Sequence, residues 1–350
     1  RRHTRFRNVT GVQTCALPIC RKLLAAGAAT LALPRFAIGQ ARQKARIGVL
    51  QTTGAGAMYI AREKGYFAAQ GLEPDISVFD NAQTLAVGIA TGALDFGATS
   101  LAIGFFNLAA RGVVRIIGAQ GRDAQGFPNN GFVVSNAAWE KGFRSFADMR
   151  GKVAGLSTQG SGPHYAFALV AKKHNVPMSS IDITWTKTSP NFIAALAANR
   201  VDCGVVPAII VLGIEKNKQG KLIGWVGDEV PWQLGAAYTS AKHADTNGPY
   251  VEKFLAAYRA GIRDFHDAFI SPEVKRVDGP TADAMLSIMS KALDQPAELL
   301  RAGIPYMDRE GRIDGKDIAA QIAWHKAEGI LEGDVDPNVL MDRRYVRFLP

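Results

Sequence analysis

Cysteine is scarce, with three residues in 350, so a disulfide-stapled scaffold is excluded. Cys15 and Cys20 fall among the first 41 residues, which leaves Cys203 alone in the remainder. A lone thiol makes neither an internal disulfide nor a thiolate metal cluster. It lies in Val201-Asp202-Cys203-Gly204-Val205-Val206, which predicts a buried strand with the thiol as a small core hydrophobe. Beyond residue 41 no apolar run is long enough to cross a bilayer. Block basicity is missing too. Of the 41 lysines and arginines, seven lie in residues 1–41, where there is no acid. The remainder carries 34 basic against 31 acidic residues, so the formal charge of +10 falls to +3. Nothing is left to track a phosphate backbone, and a nucleic-acid partner is not expected. No His-x-x-x-His pair, zinc cluster, phosphate-cradling Gly-Lys loop or strand-linked GxGxxG occurs, so neither a metal nor a cofactor is expected.

What is present begins with a leader. Arg21-Lys22 precedes the short apolar run Leu23–Leu33, Pro34 breaks it, and Gly39-Gln40-Ala41 supplies small residues at a cleavage point. Positive flank, short apolar core and small-residue exit predict an export signal and a periplasmic location. Its weak Ala/Gly hydrophobicity resembles twin-arginine export, without the second arginine. Thr10–Ile19 resembles translated sequencing-adapter sequence. Residues 1–41 are therefore set apart from the fold.

The rest of the chain repeats itself at an offset of about 106 residues. Leu50-Gln51-Thr52-Thr53-Gly54-Ala55-Gly56-Ala57-Met58-Tyr59 lies over Leu156-Ser157-Thr158-Gln159-Gly160-Ser161-Gly162-Pro163-His164-Tyr165, with five of ten positions identical. Asp75–Val78 matches Asp182–Trp185, and Gly92–Thr99 matches Asn199–Val206. Each unit reads as strand, Gly/Thr/Ser turn, helix, strand, helix, strand. That order predicts an α/β fold of two lobes, each a mostly parallel sheet with helices on both faces. Ligands of such sheets sit beyond the carboxyl ends of the strands. After Leu222–Val226 one strand (Gln233–Thr239) is followed by helices. The expected division is 42–135 for the first part of lobe 1, 136–228 for lobe 2 and 229–350 for the return and C-terminal helices. Crossings near Phe132–Trp139 and Gly227–Leu234 would form a hinge.

Ile60-Ala61-Arg62-Glu63-Lys64-Gly65-Tyr66-Phe67, followed by Gly71-Leu72-Glu73, resembles the signature of nitrate/sulfonate/taurine-type ABC-transporter binding proteins. Ala90–Gly97 and Phe146–Ala154 fit two further segments of that pattern, and the resemblance covers roughly residues 45–230. It implies a type II periplasmic binding fold that closes on a small, usually anionic solute and docks on a membrane permease. Much of the signature has a structural explanation: Gly65 and Gly71 end a helix and a turn, and Tyr66 and Phe67 pack beneath the lobe.

Topology and resemblance together put Gln51, Thr52, Thr53, Asn81, Gln83, Thr99 and Ser100 on one wall of a cleft. Ser157, Thr158, Gln159, Ser161, His164, Thr188, Ser189 and Asn191 face them from the other. These are uncharged donors at helix starts, suited to an anion, although each could simply cap its own helix. Trp232 in the second crossing either covers an apolar part of the ligand or packs the hinge. Arg122 is either a cationic contact or a solvated loop residue. Tyr59, Phe105 and Phe127 are expected in the core.

The function expected is a non-enzymatic, monomeric solute-binding component of an ABC importer. An enzyme on the same scaffold, in pyrimidine-precursor or menaquinone metabolism, is the alternative. The precursor-making enzymes use a cysteine-rich segment that this chain lacks, and Cys203 and His164 do not sit as a nucleophile-base pair. A sensor module would share the same site.

Overall fold

The computed structural model describes residues 41–350, so the leader reading lies outside the described residues. Strand β1 (Gln43–Leu50) runs into a 3₁₀ turn, Thr53–Ala55, and helix α1 (Gly56–Glu63). Then come α2 (Tyr66–Ala69), β2 (Leu72–Phe79), α3 (Ala82–Ala90), β3 (Phe96–Ser100), α4 (Ile103–Ala110) and β4 (Val114–Ala119). The chain crosses into the second lobe and forms β5 (Asn130–Ser135), α5 (Asn136–Glu140), β6 (Val153–Leu156), α6 (Gly162–Lys173) and β7 (Asp182–Trp185). This lobe closes with α7 (Ser189–Ala197), β8 (Cys203–Pro207), α8 (Ala208–Lys216), β9 (Gly220–Trp225) and α9 (Val226–Glu229). The chain then recrosses to β10 (Gly235–Ser240), α10 (Ala241–Thr246), α11 (Gly248–Phe269), α12 (Ala282–Leu293), α13 (Ala297–Ala302) and α14 (Gly315–Ala327).

The two sheets have matching topologies, β2-β1-β3-β10-β4 and β7-β6-β8-β5-β9. In each, four strands run one way and the fourth in spatial order, the strand that has just crossed over, runs against them. The sheets are therefore mixed, and the parallel part is the βαβαβ unit seen in the repeat. Pro74 lies in β2, an edge strand paired only with β1, the kind of strand to which proline is confined within sheets.

Alternation along the strands builds a core on each sheet face. In lobe 1, Ile117 and Ala237 pack with Phe96, Phe254 and Phe265, whereas Ile116, Ala236 and Tyr238 pack with Leu85, Phe105 and Ile318. In lobe 2, Phe132, Val134 and Val205 face Phe167 and Tyr165, whereas Val133 and Val206 face Phe192 and Val211. Helix α11 buries Val251, Phe254, Leu255, Tyr258, Ile262, Phe265 and Phe269 on one stripe. It crosses α1 so closely that a Cβ at Gly261 would lie 2.2 Å from the Ala57 carbonyl oxygen. Among the described residues no helix is long and apolar enough to cross a membrane.

Tyr59, Phe105 and Phe127 are buried, as expected, and so is Cys203 in β8, where burial pushes its thiol pKa up. Gly65 and Gly71 have φ of 73° and 71°, the left-handed conformation that ends a helix and a turn. Phe67 is fully buried beneath lobe 1. One boundary moves. The expected first crossing, Phe132–Trp139, belongs instead to β5 and α5, because β5 pairs with β8 and β9 in the second sheet. The crossing is residues 120–129, antiparallel to the second at the Asp123–Trp232 bridge. Lobe 2 thus begins near Asn130 rather than at residue 136.

Candidate functional site

The hinge is held by one buried carboxylate. Asp123 and Trp232 exchange both backbone hydrogen bonds, each 3.1 Å. The Asp123 side chain then accepts from Trp232 Nε1 at 2.7 Å, from Asn130 Nδ2 at 2.9 Å and from Asn129 Nδ2. Every partner is a donor, which is what an ionised carboxylate requires. Burial nevertheless pushes its pKa up to about 6. Trp232 is fully buried, with its ring near Gly162 and Tyr165. Of its two readings the structure favours hinge packing over a ligand lid. Arg122 likewise pairs with Asp314 at 3.0 Å and is neither a solvated loop residue nor a free cation in the cleft.

The strand-end rims of the two lobes face one another. The backbone N–H of Ile103, first residue of α4, donates to the Gly160 carbonyl of lobe 2 at 2.8 Å. Ser100, at the end of β3, lies against Gly162 at the start of α6. Helix α14 enters from the C-terminal segment: Trp324 meets the rings of His164 and Tyr165, and the Tyr165 hydroxyl donates to Asp317 at 3.3 Å. On another part of the rim Gly303 abuts Ala208 at the head of α8.

Several expected ligand contacts spend their side chains on the fold. Asn81 caps α3 through Thr84, Thr188 caps α7 through Asn191, and Ser161 caps α6 through His164. The amide of Asn191 donates to the Thr186 carbonyl. Gln51 donates to the Leu293 carbonyl at 2.8 Å and Thr53 to that of Gly303 at 2.6 Å, so both tie down the segment around α13. Ser157 donates to Ser161 at 2.9 Å. Thr52, Gln83, Ser100, Thr158, Gln159 and Ser189 make no side-chain hydrogen bond among the described residues, and the buried Thr99 hydroxyl has no partner.

His164 has the most specific geometry. The Gly160 N–H donates to its Nδ1 at 3.1 Å, so the ring proton sits on Nε2. Burial lowers its pKa to about 4, which keeps the ring neutral near pH 7. Its Nε2–H is then an uncharged donor beside the α6 N-terminus. Trp185, from the end of β7, stands edge-on to the same ring with centroids 5.1 Å apart. Rows of Ser, Thr and backbone N–H groups flanked by Trp185 and Trp324 can hold a small anion with an apolar body.

A family profile described as NMT1/THI5 like matches residues 52–268, more than half the chain. The chain belongs to the NMT1/THI5-like family. Within the curated proteins it is 26% identical over 231 residues to a Brucella abortus protein that bears the name "Putative binding protein BAB2_1146". That match takes in 65% of this chain and spans 64% of the relative's length. Solved structures share the fold, two of them as follows. The periplasmic aliphatic sulphonate binding protein SsuA from Escherichia coli superposes with a TM-score of 0.68 at 14% identity, over 87% of this chain and 98% of that one. The periplasmic nitrate-binding protein NrtA from Synechocystis PCC 6803 gives 0.63 at 14% identity, over 85% and 84%. The two lobes expected from the repeat, and the periplasmic binding fold that the resemblance implied, are the fold of this chain.

Sequence reasoning missed Asp123, Trp185, Trp324 and Asp317. Trp185 was visible as the residue closing a strand of the repeat. Asp123 and Asp317 also bond to near neighbours, but the partners that place these three residues, Trp232, Tyr165 and His164, lie more than 100 residues away.

Proposed function

We propose that the protein is the solute-capture component of an ABC import system, exported to the periplasm, which closes its lobes on a small organic anion and hands it to a membrane permease. The observation that carries this reading is the pair of opposed, uncharged donor rims joined by two crossing segments. Sulfonate and nitrate binding, named for the two solved proteins of the same fold, fit such rims. Neutral donors at helix starts hold an anion without a full counter-charge, and that permits release. On this reading the protein is a monomer without a catalytic role, Thr52, Gln83, Thr99, Ser100, Thr158, Gln159 and Ser189 offer the uncommitted contacts, and His164 Nε2–H is the central donor.

The test is a thermal-shift panel of taurine, alkanesulfonates, nitrate, aromatic carboxylates and pyrimidines on the mature chain, repeated with His164→Phe. A hit should raise the melting temperature without being consumed, and His164→Phe should weaken it about tenfold, the worth of one good hydrogen bond. No response across the panel removes the small-anion reading, and turnover of a hit revives the enzyme.

A further inference from the structure

A second concave site lies on lobe 1, sharing no residue with the strand-end rims. A cavity of about 570 Å³ is bounded by α2, by α11 and by the C-terminal residues Arg344 to Arg347. Four arginines line it, Arg259, Arg263, Arg344 and Arg347, against one carboxylate, Glu252. Glu252 sits seven residues before Arg259 on α11, about 10 Å along the axis. The arginines are not equally compensated. Arg344 pairs with Asp342 and Asp245, and Arg347 pairs with Glu310 at 3.0 Å. Arg259 meets only the Tyr345 carbonyl, and Arg263 has no ion pair within 4.0 Å among the described residues.

Arg259 and Arg263 stand one turn apart on the same helix, a like-charge spacing that opposes helix formation unless something bridges it. Arg259 is also withdrawn from water. Burial, with the charges of Arg347 and Arg263, pushes its pKa down to about 10. Glu310 acts on Arg259 and Asp267 on Arg263 through space, but those carboxylates pair with Arg347 and Arg309, so neither guanidinium has an ion pair of its own among the described residues. Planar forks with several N–H donors match the oxygens of a tetrahedral anion better than they match a monovalent halide.

We propose that this groove binds an oxyanion of the phosphate class, bridging Arg259 and Arg263, either as the free ion or as the headgroup of an anionic lipid. The site is independent of the cleft and holds whether or not the cleft reading stands.

Calorimetric titration of the protein with inorganic phosphate and pyrophosphate, against sodium chloride at matched ionic strength, tests it. Pyrophosphate should bind, and Arg263→Gln should weaken it at least tenfold while leaving the response to any cleft ligand unchanged. His164→Phe should leave pyrophosphate binding intact. Flotation with phosphatidylglycerol and phosphatidylcholine vesicles separates the sources. Binding to the former that Arg263→Gln abolishes identifies a headgroup, and pyrophosphate binding without flotation identifies the soluble ion. Equal heats from chloride, wild-type affinity in Arg263→Gln, or loss of binding in His164→Phe would each overturn the proposal.

Discussion

The indole N–H of Trp232 donates to the Asp123 carboxylate across the two crossing segments at 2.7 Å, so one buried pair joins both strands of the hinge. Removing that donor leaves a buried oxygen one partner short, which costs about 1–3 kcal/mol. Trp232→Phe keeps most of the ring volume and should lower the urea-unfolding free energy by about that amount without changing the denaturant slope. A loss below about 0.5 kcal/mol would show that Asn129 and Asn130 satisfy the carboxylate alone.

Closure should be sensitive to a single methyl group. Gly160 has φ of 67°, and a Cβ there would lie 2.5 Å from Ile103 Cβ in the facing lobe. Gly160→Ala should cost about 1 kcal/mol in backbone strain. Its larger effect should be to hold the lobes apart. Affinity for a panel ligand is expected to fall at least tenfold, and the ligand-induced decrease in radius of gyration should disappear from small-angle scattering. Unchanged affinity would mean that ligand is held without this contact.

Acid should destabilise the protein through its buried histidines. His164 and His325 both have pKa values lowered to about 4 by burial, and the Nδ1 of His325 has no hydrogen-bond partner among the described residues. A lowered folded-state pKa means that the unfolded chain binds more protons, so the stability is present above about pH 6.5 and is lost as pH falls towards 4. Each ring should cost about 2 kcal/mol by pH 5. Asp123 works the other way. Its raised pKa favours the folded state below about 4, and that contribution is lost as pH rises through about 6. Asp317, also raised by burial, acts in the same sense as Asp123, so the histidine contribution is read from the difference between wild type and a histidine variant. Urea midpoints measured from pH 7.5 to 5 should fall less for His325→Leu than for wild type. Parallel curves would mean that His325 titrates normally.

How much was legible follows from the range of each interaction. The repeat exposed both βαβαβ units because strand, turn and helix are written in neighbouring residues, and Gly65 and Gly71 declared their left-handed turns. The cleft rims were legible for the same reason, since residues after a parallel strand gather at one sheet edge. Whether such a residue faces ligand or fold was not. Gln51 and Thr53 look like ligand donors in sequence, yet their partners are carbonyls of Leu293 and Gly303, more than 240 residues on.

The sequence by itself determined two α/β lobes with polar strand ends, because alternation and turn chemistry act over a few residues. Tertiary structure alone decided that β5 joins the second sheet, since its buried run fits either lobe until β8 and β9 pair with it. It also decided that Trp232 anchors the hinge and that α14 brings Trp324 to His164. Those outcomes depend on which distant groups arrive to satisfy a buried charge or cover an apolar face, and neither requirement is recorded in the neighbouring residues.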